Sequence, residues 1–269
     1  MHLLFSLVLY RHSFQSIAPL LYSIGRLRDS CCKHSVYLNI YNAFPLDSDD
    51  PTPSRVRSVL GSTLLAYEYA DNIGFGAANN KNFLSSDFKE DFLFIVANPD
   101  TSFDPSSLLP LLDWVVDNPQ VSCAAPLVIN PGGAIQFSAK HDPTLVSLLL
   151  GRFHWLKCLS ILDRYDAWHR NLDTDYTRCV IQSSYLSGCF LVIPSVYYYK
   201  VNGFSEQYFL HLEDADIVRK LSFHGSCLHN PIGSVVHEWA RGSHRSPAQA
   251  FHLIYSFILY VRFWGFRVF

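Results

Sequence analysis

The sequence predicts an α/β fold in which a mostly parallel central sheet is flanked by helices. Apolar stretches with strand character alternate with helical patterns over the first hundred residues, as in doubly wound sheets. Phe92–Ala97 is an unbroken apolar run, typical of a strand buried on both faces. Asn98, Pro99 and Asp100 close this run and bring polar groups to the strand's carboxyl end, where open α/β sheets bind ligands.

The first half of the chain is expected to contain four strands. They are residues 3–10, 35–42, 64–69 and 92–97. Ser16 is predicted to cap the helix after the first strand, and residues 47–54 are predicted to form a surface loop. Gly74 is expected to allow close approach of the backbone to a ligand, and a helix packed on the sheet is expected to start nearby.

The second half is expected to continue with a helix at 106–116 and a strand at 122–129. Residues 145–176 mix basic and aromatic side chains in helices and loops, a composition we interpret as a lid or acceptor surface. A single strand is predicted at 185–194, with Gly188 early in it, and a helix is predicted to begin near Glu213.

Composition limits the classes of function. The chain has 269 residues, of which 49% are hydrophobic and 16% charged, so we expect one large globular domain, with or without a helical appendage. The net charge of -2 gives no support for binding nucleic acid. Seven cysteines without a C-x-x-C pair suggest neither a zinc site nor disulfides and fit a reducing compartment. Residues 3–10 are too short for a signal-peptide core or a spanning helix.

Three positions carry candidate chemistry. Asp100 beside Asn98 suits a hard divalent cation, although Asp100 could instead nucleate a turn or cap the next helix. Asp214 is expected to face inward in the first turn of its helix, where the helix N-terminus would keep a base ionised; ordinary capping is the alternative for Glu213 and Asp216. His237, at a predicted strand end, suits a metal ligand or a structural role.

Two regions near the carboxyl end add further expectations. Arg241, His244 and Arg245 lie in a glycine- and serine-containing loop suited to closing over a diphosphate, with solvated surface basics as the alternative. Residues 251–269 are dense in aromatics, and the only charged residues there are Arg262 and Arg267. The most apolar part is too short to cross a bilayer, so it either lies in the membrane interface or packs on the core.

Taken in order, several segments resemble the inverting GT-A glycosyltransferases of family 2, in their rhamnosyltransferase-like branch. The likeness runs over nearly the whole chain. The similar segments are residues 6–12 (SLVLYRH), 72–80 (NIGFGAANN), 98–101 (NPDT), 187–188 (SG), 203–204 (GF), 213–216 (EDAD) and His237. The second strand ends in Tyr41-Asn42, whereas this family normally has an Asp-Asn or Asp-Asp pair there, so Asn42 would hold only part of the nucleoside contact.

The resemblance implies a Rossmann-like GT-A domain over residues 1–245, with a nucleotide-binding half at about 1–101 and an acceptor and catalytic half at about 102–245. A helical tail would follow at 246–269. It implies Asp214 as the base and Mg²⁺ or Mn²⁺ held by Asp100 and His237. Gly188 and Glu213 would contact the acceptor. The nucleotide-diphospho-sugar would contact Tyr10, Asn42, Asn72, Gly74, Asn79, Asn98, Asp100 and Arg241.

The implied reaction is transfer of a sugar, with L-rhamnose from dTDP-L-rhamnose favoured, to a lipid-linked saccharide during synthesis of a surface polysaccharide such as O-antigen. The enzyme would be cytoplasmic or peripheral on the cytoplasmic face of the inner membrane. Alternatives are another sugar from a UDP or GDP donor, and a catalytically silent binding protein at the membrane surface. A nucleotidyltransferase is disfavoured because residues 9–13 (LYRHS) lack a glycine- and lysine-rich loop.

Overall fold

The computed structural model of the protein describes residues 1–44, 49–238 and 247–269. The strands are β1 (His2–Leu9), β2 (Ser35–Asn42), β3 (Leu64–Tyr69), β4 (Phe92–Ala97), β5 (Thr101–Ser102), β6 (Val121–Ile129), β7 (Ala139–Lys140), β8 (Ile181–Gln182), β9 (Tyr185–Leu186), β10 (Phe190–Pro194) and β11 (Ser226–His237). The α-helices are α1 (Phe14–Ser30), α2 (Pro53–Leu60), α3 (Phe75–Leu84), α4 (Pro105–Asp117), α5 (Leu145–Arg152), α6 (Ser160–His169), α7 (Ser195–Lys200), α8 (Glu213–Leu221) and α9 (Pro247–Trp264).

Nine of these strands form one sheet in the order β3-β2-β1-β4-β10-β6-β11-β5, with β8 also paired to β11. Strands β1 to β4 pair in parallel, and β6 and β11 run in the same direction as they do. Only β5, β8 and β10 run the other way within this sheet. The expectation of a mostly parallel sheet in an α/β fold is therefore confirmed.

Apolar side chains cover both faces of the sheet. On one face, α1, α2 and α4 bury residues such as Leu20, Val56 and Leu111 against the sheet. On the other face, α3, α7 and α8 contribute residues such as Phe83 and Ile217. Burial on both faces explains why β4 reads as a continuous apolar run rather than an alternating one.

Three details of the predicted elements were wrong. Helix α1 is capped by Ser13, whose hydroxyl accepts from the N–H of Ser16, so Ser16 lies inside the helix. The predicted strand 185–194 is divided into β9, which pairs with β7, and β10, which joins the main sheet. The break falls at Gly188, whose N–H donates to Asp214 instead of to a neighbouring strand.

The predicted loop 47–54 ends in α2, and residues 45–48 lie outside the described ranges.

The helical tail packs on α8 with one face. The indole Nε1 of Trp264 donates to Oδ1 of Asp216 at 2.9 Å, and the guanidinium of Arg219 donates to the hydroxyl of Tyr260 at 3.1 Å. Asp142 forms ion pairs with both Arg219 and Arg267, at 3.1 and 2.9 Å. The tail is therefore an integral layer of the fold over the part that is described.

The outer face of α9 is apolar. Its exposed apolar side chains follow helical spacing and form what we call the α9 stripe, consisting of Phe251, Ile254, Tyr255 and Ile258. Within the described ranges, every helix is too short or too polar to cross a bilayer. The predicted domain boundary at residue 245 lies outside the described residues, so the division into domain and tail stays a prediction.

Candidate functional site

The predicted metal ligands lie side by side at one edge of the sheet. After β4 the chain turns at Asn98, whose carbonyl accepts hydrogen bonds from the N–H and hydroxyl of Thr101. Strand β5 then pairs with the end of β11, which places His237 opposite Thr101. Oδ1 of Asp100 lies 3.2 Å from Nε2 of His237. The capping alternative for Asp100 was wrong, because Asp104 caps α4.

Gln136 fixes which nitrogen of His237 faces Asp100. The Gln136 amide Nε2 donates to the carbonyl of His237 at 2.7 Å, so its Oε1 is the acceptor 2.8 Å from His237 Nδ1. Because an amide oxygen cannot donate, the Nδ1 atom must carry the proton. In the neutral ring, Nε2 then presents a lone pair toward the Asp100 carboxylate, and both are electron-pair donors.

This pair fits a divalent cation with few protein ligands. Two converging electron-pair donors, one nitrogen and one carboxylate oxygen, suit Mn²⁺ or Mg²⁺. In the parts of the chain that the structure describes, no group of three or more His, Cys, Asp or Glu side chains is arranged to hold a metal ion. A cation bound here would therefore complete its coordination with water and ligand oxygens, and the partly exposed Asn98 adds no charge.

Asp214 lies in the first turn of α8, in contact with the turn that leads into β10. Its Oδ2 accepts from the N–H of Gly188 and its Oδ1 from the N–H of Ala215, both at 2.9 Å. A Cβ atom on residue 188 would lie 3.0 Å from the Cβ of Asp214, which accounts for glycine there. Gly188 therefore contacts the predicted base directly.

Opposing effects act on the pKa of Asp214. Burial raises the pKa of Asp214 above its usual value, while the N–H of Gly188, the Lys140 ammonium and the N–H of Ala215 oppose that rise. Desolvation is the largest effect on this pKa, and the hydrogen bonds from the two N–H groups favour the ionised form, as the sequence suggested for the helix N-terminus. No side chain caps α8, so the capping alternative for its acids was also wrong.

Glu213 and Asp214 are adjacent carboxyl groups in different settings. Glu213 is buried, and this burial together with the Asp214 charge raises the pKa of Glu213 to about 8. At neutral pH the proton shared by such a pair is therefore held by Glu213. Of the two, Asp214 is the group suited to accept a proton from a ligand.

Among the predicted nucleotide-binding residues, Tyr10 and Asn72 have exposed side chains. Tyr10 follows β1 and is 45% exposed. Oδ1 of Asn72 accepts from the N–H of Gly74, which has a φ of +92°. A Cβ on residue 74 would lie 2.5 Å from the carbonyl oxygen of Phe209, so glycine is needed there for contact with the protein backbone. The structure thus contradicts the expectation that Gly74 allows the backbone to approach a ligand, because the close contact is with Phe209.

Asn42 and Asn79 are interior residues, with 1% and 0% of their surface exposed. Asn79 accepts from the hydroxyl of Ser6 and donates to the carbonyl of Phe75, so its side chain holds α3 against β1. Asn42 donates to the Asp50 carboxylate and to the Tyr67 hydroxyl. Neither amide faces a ligand-accessible surface, contrary to the sequence expectation.

Arg241, His244 and Arg245 lie outside the described residues. Three residues near the site were not found from the sequence: His12, Gln136 and Lys140. Burial lowers the pKa of His12 and the Asp100 carboxylate opposes this, which places His12 near the candidate cation site. No local pattern distinguishes these residues, because their partners lie far away in the chain.

Comparison with known proteins is consistent with this geometry. The chain is similar to proteins of two strains of Mycobacterium tuberculosis named N-acetylglucosaminyl-diphospho-decaprenol L-rhamnosyltransferase. The identity is 31% over 192 residues, covering 66% of this chain and 59% of the relative. The chain thus spans about three fifths of the length of these relatives. No family model matches the chain.

Two solved structures share the fold over nearly the whole chain. GalNAc-T7, crystallised with UDP, GalNAc and Mn²⁺, has a TM-score of 0.67 at 12% identity and covers 98% of this chain and 48% of its own. The mannosyltransferase PcManGT from Pyrobaculum calidifontis, with GDP-Man and Mn²⁺, has a TM-score of 0.60 at 13% identity and covers 97% and 64%. The chain thus has the fold of GT-A glycosyltransferases, and over 192 residues its sequence is similar to that of an L-rhamnosyltransferase.

Proposed function

We propose that the protein is an inverting glycosyltransferase that moves L-rhamnose from dTDP-L-rhamnose to a lipid-linked saccharide. One observation carries this proposal: consecutive residues connect the two chemical groups of the site. The N–H of Gly188 donates to Asp214, and the carbonyl of Cys189 accepts from the N–H of Asn98 in the turn that presents Asp100. The proposed base and the proposed cation ligands are therefore linked at the carboxyl end of β4, as a displacement with two reacting ends requires.

In the proposed reaction, Asp214 takes the proton of an acceptor hydroxyl as that oxygen bonds to the anomeric carbon of the donor. The bond from that carbon to the diphosphate oxygen breaks, and the diphosphate leaves with the electron pair. Asp100 and His237 would hold a divalent cation, which when bound supplies positive charge for the leaving diphosphate. Glu213, which holds its proton at neutral pH, adds no second negative charge beside the base.

The identities of donor and acceptor rest on the curated relatives and on the sequence resemblance. The relatives' name specifies an L-rhamnosyl group and a lipid diphosphate carrying N-acetylglucosamine. A similar reaction here would use dTDP-L-rhamnose and a lipid-linked acceptor for a surface polysaccharide, O-antigen or similar. Solved neighbours with UDP-GlcNAc and GDP-Man keep a UDP- or GDP-sugar as the alternative donor class.

We also propose that the protein works at the cytoplasmic face of the inner membrane. The α9 stripe is 46–67% exposed, and the helix carries no acidic residue. Arg262 continues the stripe by one turn and suits the headgroup level of an anionic membrane. Such a surface would bring a lipid-linked acceptor to the site.

Calorimetric titration of the full chain with dTDP, UDP and GDP, each with Mn²⁺ and with EDTA, tests the proposed donor. We expect dTDP to bind more tightly than the other two, and only with Mn²⁺. Tighter binding of UDP or GDP would assign a different donor. Failure of all three would contradict the enzyme and favour a silent binding protein on the same fold.

A further inference from the structure

Residues 149–161, which join α5 to α6, form an apolar segment that the fold leaves exposed. They include the end of α5, a 3-10 helix at His154–Cys158 and the start of α6. Every side chain of the 3-10 helix is partly or largely exposed. We call residues 149–161 the α5–α6 tip, and its five large apolar side chains that are 40–74% exposed are Leu149, Phe153, Trp155, Leu159 and Ile161. So many exposed apolar side chains in one short segment indicate an interaction site.

The helices on either side of the tip are fixed to each other and to the core. Thr144 caps α5, and its hydroxyl lies 2.6 Å from the hydroxyl of Tyr165 in α6. Nζ of Lys157, within the tip, lies 2.6 Å from Oδ2 of Asp166 in α6. Leu148 packs against the buried apolar cluster that α9 shares with α8. The fold therefore holds α5 and α6 in place and leaves the apolar side chains of the tip exposed.

The charge of this region is opposite in sign to that of the whole chain. Residues 143–170 contain four Arg and Lys residues and two Asp residues, whereas the chain has a net charge of -2. Residues 143–162 include no acid, and the exposed Arg152 adjoins Phe153. The charge of Asp166 is offset by ion pairs with Lys157 and Arg170. Apolar and aromatic side chains beside basic ones suit the headgroup region of an anionic bilayer.

The tip region adjoins the end of the chain, after α9. The N–H of Val146 donates to the carbonyl of Val268 at 3.1 Å. The ring of Tyr165 lies 5.8 Å from the ring of Phe269, which is 68% exposed. Leu149 lies about one helical turn beyond Val146. Exposed apolar side chains therefore continue from the end of the chain onto α5.

We propose that the α5–α6 tip is a second membrane-contact surface, separate from the α9 stripe, and that it enters the headgroup region of an anionic bilayer. This rests on the membrane location proposed above but not on the proposed reaction. A second copy of the chain is a less suitable occupant, because it would bring like charges together. Two lipid-binding surfaces on one chain bind a bilayer more tightly than either surface alone.

Cosedimentation of the full chain with phosphatidylglycerol and with phosphatidylcholine vesicles tests the proposal. The wild type should bind phosphatidylglycerol more tightly, and Trp155→Glu combined with Ile161→Glu should weaken that binding about tenfold or more. Leu84→Glu combined with Val180→Glu is the matched control, because these residues are 70% and 51% exposed and lie outside the tip. The same two tip substitutions should weaken binding further in a protein whose α9 stripe already carries acidic substitutions. Equal cosedimentation of the wild type and the tip variant would overturn the inference.

A second readout does not depend on acidic substitutions. The emission of Trp155, taken as the difference between the wild type and Trp155→Phe, should be quenched by phosphatidylglycerol vesicles that contain acyl-brominated lipid. Unquenched Trp155 emission in vesicle-bound protein would overturn the inference. Loss of a dimer in the tip variant, with unchanged vesicle binding, would also overturn it and assign the tip to self-association. Quenching in a protein that binds none of dTDP, UDP and GDP would retain the inference while rejecting the proposed function.

Discussion

Nε2 of His237 lies 3.2 Å from Oδ1 of Asp100, at the junction of β11 and β5. If this pair holds a cation, Asp100→Ala and His237→Ala should each remove the difference between nucleotide binding with Mn²⁺ and with EDTA. Calorimetry measures both affinities. Asp104→Ala is the matched control, because Asp104 caps α4 and its loss should cost about 1 kcal/mol of stability without changing metal dependence. Unchanged Mn²⁺ dependence in Asp100→Ala would remove the metal assignment.

Gln136→Leu should weaken Mn²⁺ binding about 10- to 100-fold, because it removes both hydrogen bonds that orient His237. Electron paramagnetic resonance of free Mn²⁺, with dTDP present, measures this affinity independently of turnover. Gln120→Leu provides a matched control, since Gln120 is exposed and bonds only to Asn118 among the described side chains. Wild-type affinity in Gln136→Leu would show that the ring needs no such support.

Asp214→Asn should abolish sugar transfer while leaving donor affinity within about twofold, because the base acts on the acceptor and an amide retains the shape. Product formation and calorimetric donor binding are measured on the same preparation. Asp163→Asn changes an exposed acid in the first turn of α6 and should leave both unchanged. A large loss of donor affinity in Asp214→Asn would contradict the assigned role.

Glu213 should make the protein less stable as pH rises. Its pKa is raised from 4.5 to about 8 in the folded state, so above pH 4.5 the unfolded chain releases a proton that the folded chain retains. Stability therefore falls between these two values and stays reduced above pH 8. Glu213→Gln should equal the wild type near pH 4 and exceed it by about 2–4 kcal/mol at pH 9 in urea unfolding. A parallel pH dependence in both proteins would refute this account.

The α9 stripe should bind lipid. Ile254→Glu combined with Ile258→Glu should reduce cosedimentation with phosphatidylglycerol vesicles about tenfold or more, since two apolar side chains are replaced by acids. Leu84→Glu is the matched control, because Leu84 is 70% exposed at the end of α3. Substitution is preferable to removal of the tail, because Trp264 and Arg267 bond to the core. Equal cosedimentation of the wild type, the double variant and Leu84→Glu would exclude the α9 stripe as the membrane contact.

The sequence located elements that depend on local pattern. Strands β2, β3 and β4 have the predicted bounds, and α8 begins at Glu213 as its acidic first turn indicated. These patterns arise because a strand or helix repeats its burial with a fixed period. The proximity of Asp100 and His237 was also accessible, through the family resemblance and through the position of His237 at a predicted strand end.

What the sequence did not show depends on contacts between distant segments. Gln136 supports His237 from 101 positions away, and no spacing rule links them. Asn42 and Asn79 match positions of the family motifs, yet their side-chain amides form hydrogen bonds with other residues in the protein interior. The strand break at Gly188 depends on a carboxylate 26 residues later. Local patterns predict which elements form, whereas the partners of polar side chains follow from the assembled fold.

Asp142 bonds at once to Arg219 on α8 and to Arg267 beyond α9, so the helix that carries Asp214 and the helix that carries the apolar stripe are fastened together. If the stripe lies in lipid, these two ion pairs fix the distance between the Asp214 carboxylate and the bilayer surface. A fixed distance of this kind selects acceptors by length. Acceptors would be sorted by the distance between their lipid and their reactive hydroxyl, independently of the sugar's own shape.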